Sequence, residues 1–341
     1  MPTAFLTGAT GFVGGHTARA LAAEGWTVRA LVRPRPRPGA RRGSDALADL
    51  PVEPVAGDLS ISEPGPLRAA LADVDAIVHV AGLVKARSLE DYREVNARGT
   101  ERLLLAARES APRARFVLVS SQAAAGPAHA GRAVREGDPA RPVSWYGVSK
   151  REGEEAVERL WSGDWVVLRP GVVYGPGDKG VLTFFQMAAS GWLIVPAAAS
   201  RVQVISAEAT ALAIARAATS GAVSRRIGFV CDPDPVEIRR LVSAIAALPP
   251  RRPRVLEVPS AVVFAAGALE TLREIATRRS RPFNADKARE LLAGDWICDP
   301  SPMRRDLNLP PPEPLEQGLR RTYDWYVGQG WLPSERSKSL I

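Results

Sequence analysis

Tyr146 and Lys150, in S-W-Y-G-V-S-K, stand four residues apart, a spacing that puts both side chains on one face of a helix. With five tyrosines and five lysines in 341 residues, chance supplies about 0.07 such pairs, although ordinary helix surfaces carry them too. A phenol with a pKa of about 10 exchanges protons poorly at neutral pH unless a cation stabilises its phenolate. Lys150 supplies that cation, so the pair offers general acid/base transfer. Upstream, the apolar run from 116 ends in V-S-S-Q-A-A-A-G, which brings the hydroxyls of Ser120 and Ser121 to a strand's carboxyl end. Ligands of open α/β sheets bind at that edge, and one hydroxyl there can orient a reacting carbonyl or alcohol oxygen.

The glycines of T-G-A-T-G-F-V-G indicate what stands beside that oxygen. Gly8, Gly11 and Gly14 follow the first apolar run and open the first helix. They permit a tight turn, let a phosphate approach with no Cβ in the way, and place it at the free N–H groups of a helix N-terminus. The turn is therefore read as a dinucleotide cradle contacted by Gly8, Thr10, Gly11, Phe12, Val13 and Gly14. The second run ends in A-L-V-R, so Arg33 stands where an NAD site usually offers an acid to the ribose hydroxyls. With Arg35 and Arg37 behind it, this end favours the 2′-phosphate of NADP over NAD. The competing reading is that the arginines solvate a proline-rich loop. Asp58, followed by Leu59 in A-G-D-L, is either placed for the adenine edge or is a turn aspartate. Ala81 and Gly82 are small where the fourth strand passes the cofactor, and His79 within that strand reads as a core histidine.

The elements that must position these groups alternate regularly. Strand-length apolar runs at 3–7, 27–32, 52–56, 76–80, 116–120 and 165–169 are separated by helical stretches starting near Phe12, Pro66, Asp91 and Ser144. This is the rhythm of βαβ units, and it predicts an α/β Rossmann fold with a doubly wound parallel sheet. After Pro170, loops rich in Gly, Pro and Ala interrupt it. The expected division is a dinucleotide-binding domain over 1–170, to which 201–222 returns, and a smaller C-terminal substrate-binding lobe over 171–341.

Composition agrees: 46% hydrophobic residues support a sizeable core. Cys231 and Cys298 lie far apart in sequence, with no metal-ligand spacing, so neither a disulfide framework nor a zinc site is expected and a cytoplasmic setting suits the chain. The start lacks the basic region of a signal peptide, and the broken apolar run 258–269 is too short to span a bilayer. The charge of +8 rests on forty arginines scattered along the chain. No stretch interleaves them with aromatics, which argues against nucleic acid. The segment 258–273, flanked by Arg251, Arg252, Arg254, Arg278, Arg279 and Arg281, could make peripheral contact with an anionic membrane; packing over the substrate pocket is the preferred reading.

Taken together, T-G-A-T-G-F-V-G, V-N-A-R-G-T, V-S-S, Y-G-V-S-K and L-R-P-G-V-V-Y-G-P-G-D resemble the extended short-chain dehydrogenase/reductase family, in its NAD-dependent epimerase/dehydratase branch. The resemblance is good to Asp178 and weaker beyond. It implies Ser121 as the substrate-orienting hydroxyl, Tyr146 as general acid/base, and Lys150 as the group that binds the nicotinamide ribose and lowers the tyrosine pKa. Ser121 is chosen over Ser120 by its spacing to Tyr146 and Gly126. Asn96 matches a structural asparagine, and Pro170 through Val173 match the segment beside the nicotinamide. A homodimer through a helix pair is a further family expectation.

The chain also departs from the family. The family's dehydratases place Asp-Glu after the active hydroxyl residue; here Gln122-Ala123 follow Ser121, which disfavours water elimination. Ala124-Ala125-Gly126 and I-S-A-E-A differ from the epimerase patterns, and W-L-I-V-P-A-A-A-S suits an apolar substrate better than a diphosphate. The expectation is hydride transfer to or from a ketone or secondary alcohol of a largely apolar small molecule, as in dihydroflavonol reductases and 3β-hydroxysteroid dehydrogenases. A sugar-nucleotide epimerase and a non-catalytic cofactor-binding protein are the alternatives. Lys85 reads as a solvated loop lysine that could reach the substrate mouth.

Overall fold

The computed structural model describes residues 1–33, 47–60, 65–197, 200–277 and 283–333. Arg35, Arg37, Arg278, Arg279 and Arg281 lie outside the described residues.

Six strands arise in the first half: β1 (Thr3–Thr7), β2 (Thr27–Val32), β3 (Glu53–Ala56), β4 (Ala76–His79), β5 (Arg115–Val119) and β6 (Trp165–Pro170). The second half adds β7 (Val172–Tyr174), β8 (Trp192–Pro196), β9 (Arg201–Val202), β10 (Val204–Ser206), β11 (Arg226–Val230), β12 (Val236–Glu237) and β13 (Arg254–Val258). The central sheet runs β11-β6-β5-β4-β1-β2-β3 and is parallel throughout. Its order reverses between β1 and β4, so the loops leaving these two strands diverge and open the crevice where such sheets bind ligands.

Strands buried on both faces need apolar residues at successive positions, which is why β4, β5 and β6 read as unbroken runs. Alternate residues go to opposite sides. Ala4, Leu6, Val78, Val117 and Leu168 pack under the Phe12–Ala23 and Ala207–Thr219 helices. Phe5, Ile77, Phe116 and Val167 pack under the Gly99–Ser110 and Trp145–Leu160 helices. A third core around Tyr174, Phe185, Val204, Leu319 and Tyr326 belongs to the C-terminal lobe. The pairs β7–β10, β9–β12 and β8–β13 lie outside the central sheet.

Within 201–222 the Ala207–Thr219 helix packs on the central sheet, and the chain returns to it again past that segment, where β11 supplies the edge strand beside β6. The two cysteines, far apart in sequence, come together in the fold. Cys231, just past β11, and Cys298 are buried thiols with sulfurs 3.6 Å apart. No helix of the described residues is long and apolar enough to cross a membrane.

Candidate active site and dinucleotide cradle

The glycine turn is shaped by two contacts that exclude any side chain. Gly8 has φ +81°, and a Cβ on it would stand 2.7 Å from the Ala81 nitrogen. A Cβ on Gly14 would stand 2.0 Å from the Gly8 carbonyl oxygen. The first helix is thereby pressed onto β1 and onto the end of β4. Gly11 caps that helix with no side-chain hydrogen bond, and the first turn carries no acid, so its N–H groups and positive end stay available for an anion. Thr10 is exposed at the tip; Phe12 and Val13 are half-buried. His16, one turn on, meets the Pro176 carbonyl at 2.9 Å, which draws the Gly175–Gly177 loop over the cradle. The cradle suits a dinucleotide pyrophosphate, because its closest approaches are between backbones and its polar groups are donors.

Arg33 is exposed just past β2. Asp58 is committed to a local turn: its Oδ1 accepts from the Ser60 backbone N–H and hydroxyl, both at 2.9 Å. Leu59 is half-buried against the second core, and its carbonyl accepts from Arg102. At the end of β4, the Ala81 N–H donates to Thr7 Oγ1 at 3.1 Å. Gly82 is exposed, and a Cβ there would lie 3.6 Å from Lys150 Nζ. His79 is buried and hydrogen-bonded on both ring nitrogens, to Thr7 Oγ1 at 2.7 Å and Thr100 Oγ1 at 3.0 Å. Burial, with Lys150 adding to it, pulls its pKa down to about 3, so it is neutral.

The two strand-end serines part company. Ser120 points below the sheet and donates to Glu154 Oε1 at 2.6 Å. Glu154, fully buried, also receives both arms of Arg169 at 2.9 and 2.7 Å. Ser121 points the other way: it caps the Gln122–Ala125 turn and stands in hydrogen-bonding reach of the Tyr146 phenol. Pleat alternation alone makes this division. Tyr146 lies in the first turn of the Trp145–Leu160 helix, which Ser144 caps by accepting from Gly147 N–H at 3.1 Å. Asp286 accepts from the Trp145 N–H at 2.9 Å, tying the C-terminal lobe to this helix start.

Two glycines that the sequence reading passed over set the helix position. A Cβ on Gly147 would stand 2.3 Å from the Ala123 carbonyl oxygen, and one on Gly153 would stand 2.7 Å from the Asn96 carbonyl oxygen. A helix-interior glycine costs about 1 kcal/mol against alanine, so two in one helix signal close approach. Asn96 sits in a π turn, Glu94–Arg98, and closes a two-way clamp on Leu83, accepting from its N–H at 2.7 Å and donating to its carbonyl at 3.0 Å. Its amide also donates to Ser149 at 2.9 Å.

Lys150 is buried and donates to the Val119 carbonyl at 2.7 Å. Burial pulls its pKa down to about 8, with the Glu154 charge opposing. Burial raises the Tyr146 phenol to about 12; Ser121 lowers it and Glu290 raises it. In the chain alone, therefore, the phenol is firmly protonated, ready to donate rather than accept a proton. Pro170 is buried and Val173 half-buried where β6 passes into β7, next to the first core. Lys85 is exposed, and its charge acts on Asp178.

The chain is similar to known proteins over most of its length. Over 336 residues the chain is 38% identical to a ceramide reductase from Caulobacter vibrioides (strain NA1000 / CB15N), covering 96% of this chain and 95% of that one. It is 25% identical over 332 residues to a UDP-glucose 4-epimerase from Vibrio cholerae, covering 93% of each chain. A dTDP-glucose 4,6-dehydratase from Streptomyces venezuelae, solved with NAD bound, shares the fold with a TM-score of 0.76 at 23% identity, over 97% of this chain and 99% of that one. The family profile described as "NAD dependent epimerase/dehydratase family" matches residues 4–218. The chain belongs to that family, the extended short-chain dehydrogenases/reductases, and is an NAD(P)-dependent oxidoreductase.

Proposed function

We propose that this enzyme is a reductase that interconverts a ketone and a secondary alcohol on a largely apolar substrate, with NADP as its preferred cofactor. The observation that carries the reading is the meeting of Ser121 and Tyr146 above a buried Lys150, with Gln122 rather than a carboxylate following the serine. The ceramide reductase relative, which matches nearly the whole chain, supports net reduction and an apolar substrate.

The nicotinamide, when bound, supplies or accepts the hydride. Ser121 holds the substrate oxygen by a hydrogen bond, and Tyr146 gives that oxygen its proton in reduction and takes it back in oxidation. Lys150, with Tyr146, would hold the nicotinamide ribose, and its charge stabilises the phenolate left after proton transfer. The Gly8, Gly11 and Gly14 turn would hold the pyrophosphate, and Ala81, Gly82, Pro170 and Val173 would line the nicotinamide side. Arg33 would meet the 2′-phosphate. Gln122 offers no acid or base for removing water.

The test is turnover of long-chain ketones, including a 3-oxo acyl amide, with NADPH and NADH, using Tyr146→Phe as control. Rates should fall by about a hundredfold or more in the variant, with cofactor affinity kept. Turnover persisting in Tyr146→Phe overturns the acid/base assignment. NAD retained through purification, with no net redox change on any ketone, indicates epimerisation instead.

A further inference from the structure

Met1, Val84, Leu105 and Val172 stand singly in solvent, but most of the exposed large apolar side chains are grouped. Among the described residues they gather on β8, β13 and the Ser260–Thr277 helix that follows β13: Trp192, Ile194, Leu256, Val262, Leu269 and Leu272. In the β8–β13 ribbon, Leu193 and Val195 face the core, while Trp192 and Ile194 face out opposite Arg254 and Leu256. The Arg254 guanidinium lies over the Trp192 ring at 5.5 Å. On the helix, Val262, Leu269 and Leu272 follow helical spacing along one side, and Leu272 is 64% exposed. The opposite side carries Val263, Gly267 and Glu274, all buried. A soluble surface seldom leaves such a stripe uncovered.

Charge indicates what covers it. Both acids of the helix are drawn away from the stripe: Glu274 is buried and accepts from Asn284, and Glu270 pairs with Arg273. Arg251, Arg252 and Arg254 stand exposed where the ribbon begins. On β13 the exposed Glu257 pairs with Arg239. An apolar stripe whose acids are buried or paired and which is bordered by arginines matches an anionic lipid surface, on which a helix of this length lies flat. The inner side of the same helix packs on the segment that meets the active-site helix. Gly267 admits Ala288 of the Ala285–Leu291 helix, whose Asp286 binds the Trp145 N–H and whose Glu290 acts on Tyr146.

We propose that β8–β13 and the Ser260–Thr277 helix form a docking face for a bilayer with anionic headgroups, which brings the lobe beside Tyr146 to the source of an apolar substrate. The face lies on the bilayer and does not cross it. The source of substrate rests on the reductase reading above; the docking itself does not. The sequence reading holds membrane contact as the alternative to packing over the substrate pocket: the inner side of the helix is buried at Val263, Gly267 and Glu274, while its outer side is exposed.

The test is co-sedimentation of the full chain with sucrose-loaded vesicles of phosphatidylcholine alone or doped with phosphatidylglycerol. Wild type should pellet with the doped vesicles and far less with phosphatidylcholine. Leu269→Glu with Leu272→Glu should weaken that binding on the order of tenfold or more, and Arg251→Glu with Arg252→Glu should remove the preference for the anionic lipid. All variants should keep wild-type cofactor affinity, which establishes that they fold. Wild type failing to pellet, or the leucine variant pelleting equally, overturns the proposal. So does a concentration-dependent dimer in sedimentation equilibrium that the leucine variant abolishes, since a second copy then covers the stripe. A vesicle-binding protein that reduces no ketone keeps the docking face and discards the reductase reading.

Discussion

Gly147 lies so close to Ala123 that a single methyl group would stand 2.3 Å from the alanine's carbonyl oxygen. This contact seats the start of the Tyr146 helix against the turn that Ser121 caps. Gly147→Ala should cost about 1–3 kcal/mol through overpacking, and the folded fraction should turn over more slowly because Ser121 and Tyr146 are pushed apart. Thermal unfolding and kcat measured together check this. A variant with unchanged Tm and kcat would show that the approach does not set the pair.

Ser120 and Ser121 are adjacent yet should respond oppositely. Ser121→Ala should lower kcat by about a hundredfold or more with cofactor affinity kept. Ser120→Ala should leave kcat near wild type and cost about 1–3 kcal/mol, because Glu154 loses a buried donor. Steady-state kinetics beside denaturant unfolding separates the two.

Glu154 and Arg169 form a buried bidentate pair, 0% and 3% exposed. Glu154→Gln should therefore destabilise the fold by about 3–5 kcal/mol, leaving a buried guanidinium without its counter-charge. Glu154→Leu combined with Arg169→Met should lose less than Glu154→Gln alone, as urea midpoints will show.

Lys150 gives a pH dependence of definite sign. Its pKa falls from the ordinary 10.5 to about 8. The folded chain thus releases this proton at a lower pH than the unfolded chain does. The burial cost is fully present below pH 8 and is relieved as pH rises from 8 towards 10.5. Function runs the other way: the charge that steadies the phenolate and the cofactor disappears above that same pH. NADPH affinity should weaken as pH rises through about 8 in wild type and vary much less in Lys150→Met, as titration by fluorescence quenching will reveal.

Arg33 stands exposed at the end of β2, and no acid follows it in the sequence before Asp45. Arg33→Ala should weaken NADPH by about tenfold or more and leave NADH nearly unchanged, since only the former carries the 2′-phosphate that a guanidinium binds. Equal losses for both cofactors would remove the basis for preferring NADP.

The legible part of the molecule was the local part. Strand runs at 3–7 and 27–32, the turn glycines and the helix carrying Tyr146 and Lys150 all follow from residue type and short spacing, and they stand where that spacing puts them. What escaped depends on contacts between distant segments. Gly153 needs the Asn96 carbonyl against it, Glu154 needs Arg169, and Cys231 meets Cys298 across 67 residues. The interior glycines of Y-G-V-S-K-R-E-G were the one local hint, because a helix tolerates them only for a packing reason. β11 was missed because R-I-G-F-V is short and holds Gly228, whose missing side chain makes room for Met303.

The hydrogen bonds around His79 have a direction. The Ala81 N–H donates to Thr7, and the Thr100 hydroxyl donates to the Asn96 carbonyl. Thr100 can then only accept from the imidazole, so its proton sits on Nε2 and Nδ1 accepts from the Thr7 hydroxyl. The ring is a one-way coupling between the lip of the cofactor crevice and the π turn that clamps Leu83. An added proton reverses the polarity at Nδ1 and puts two hydrogens on one line. Burial holds the His79 pKa at about 3, so at neutral pH the ring stays singly protonated and the direction of the coupling is fixed.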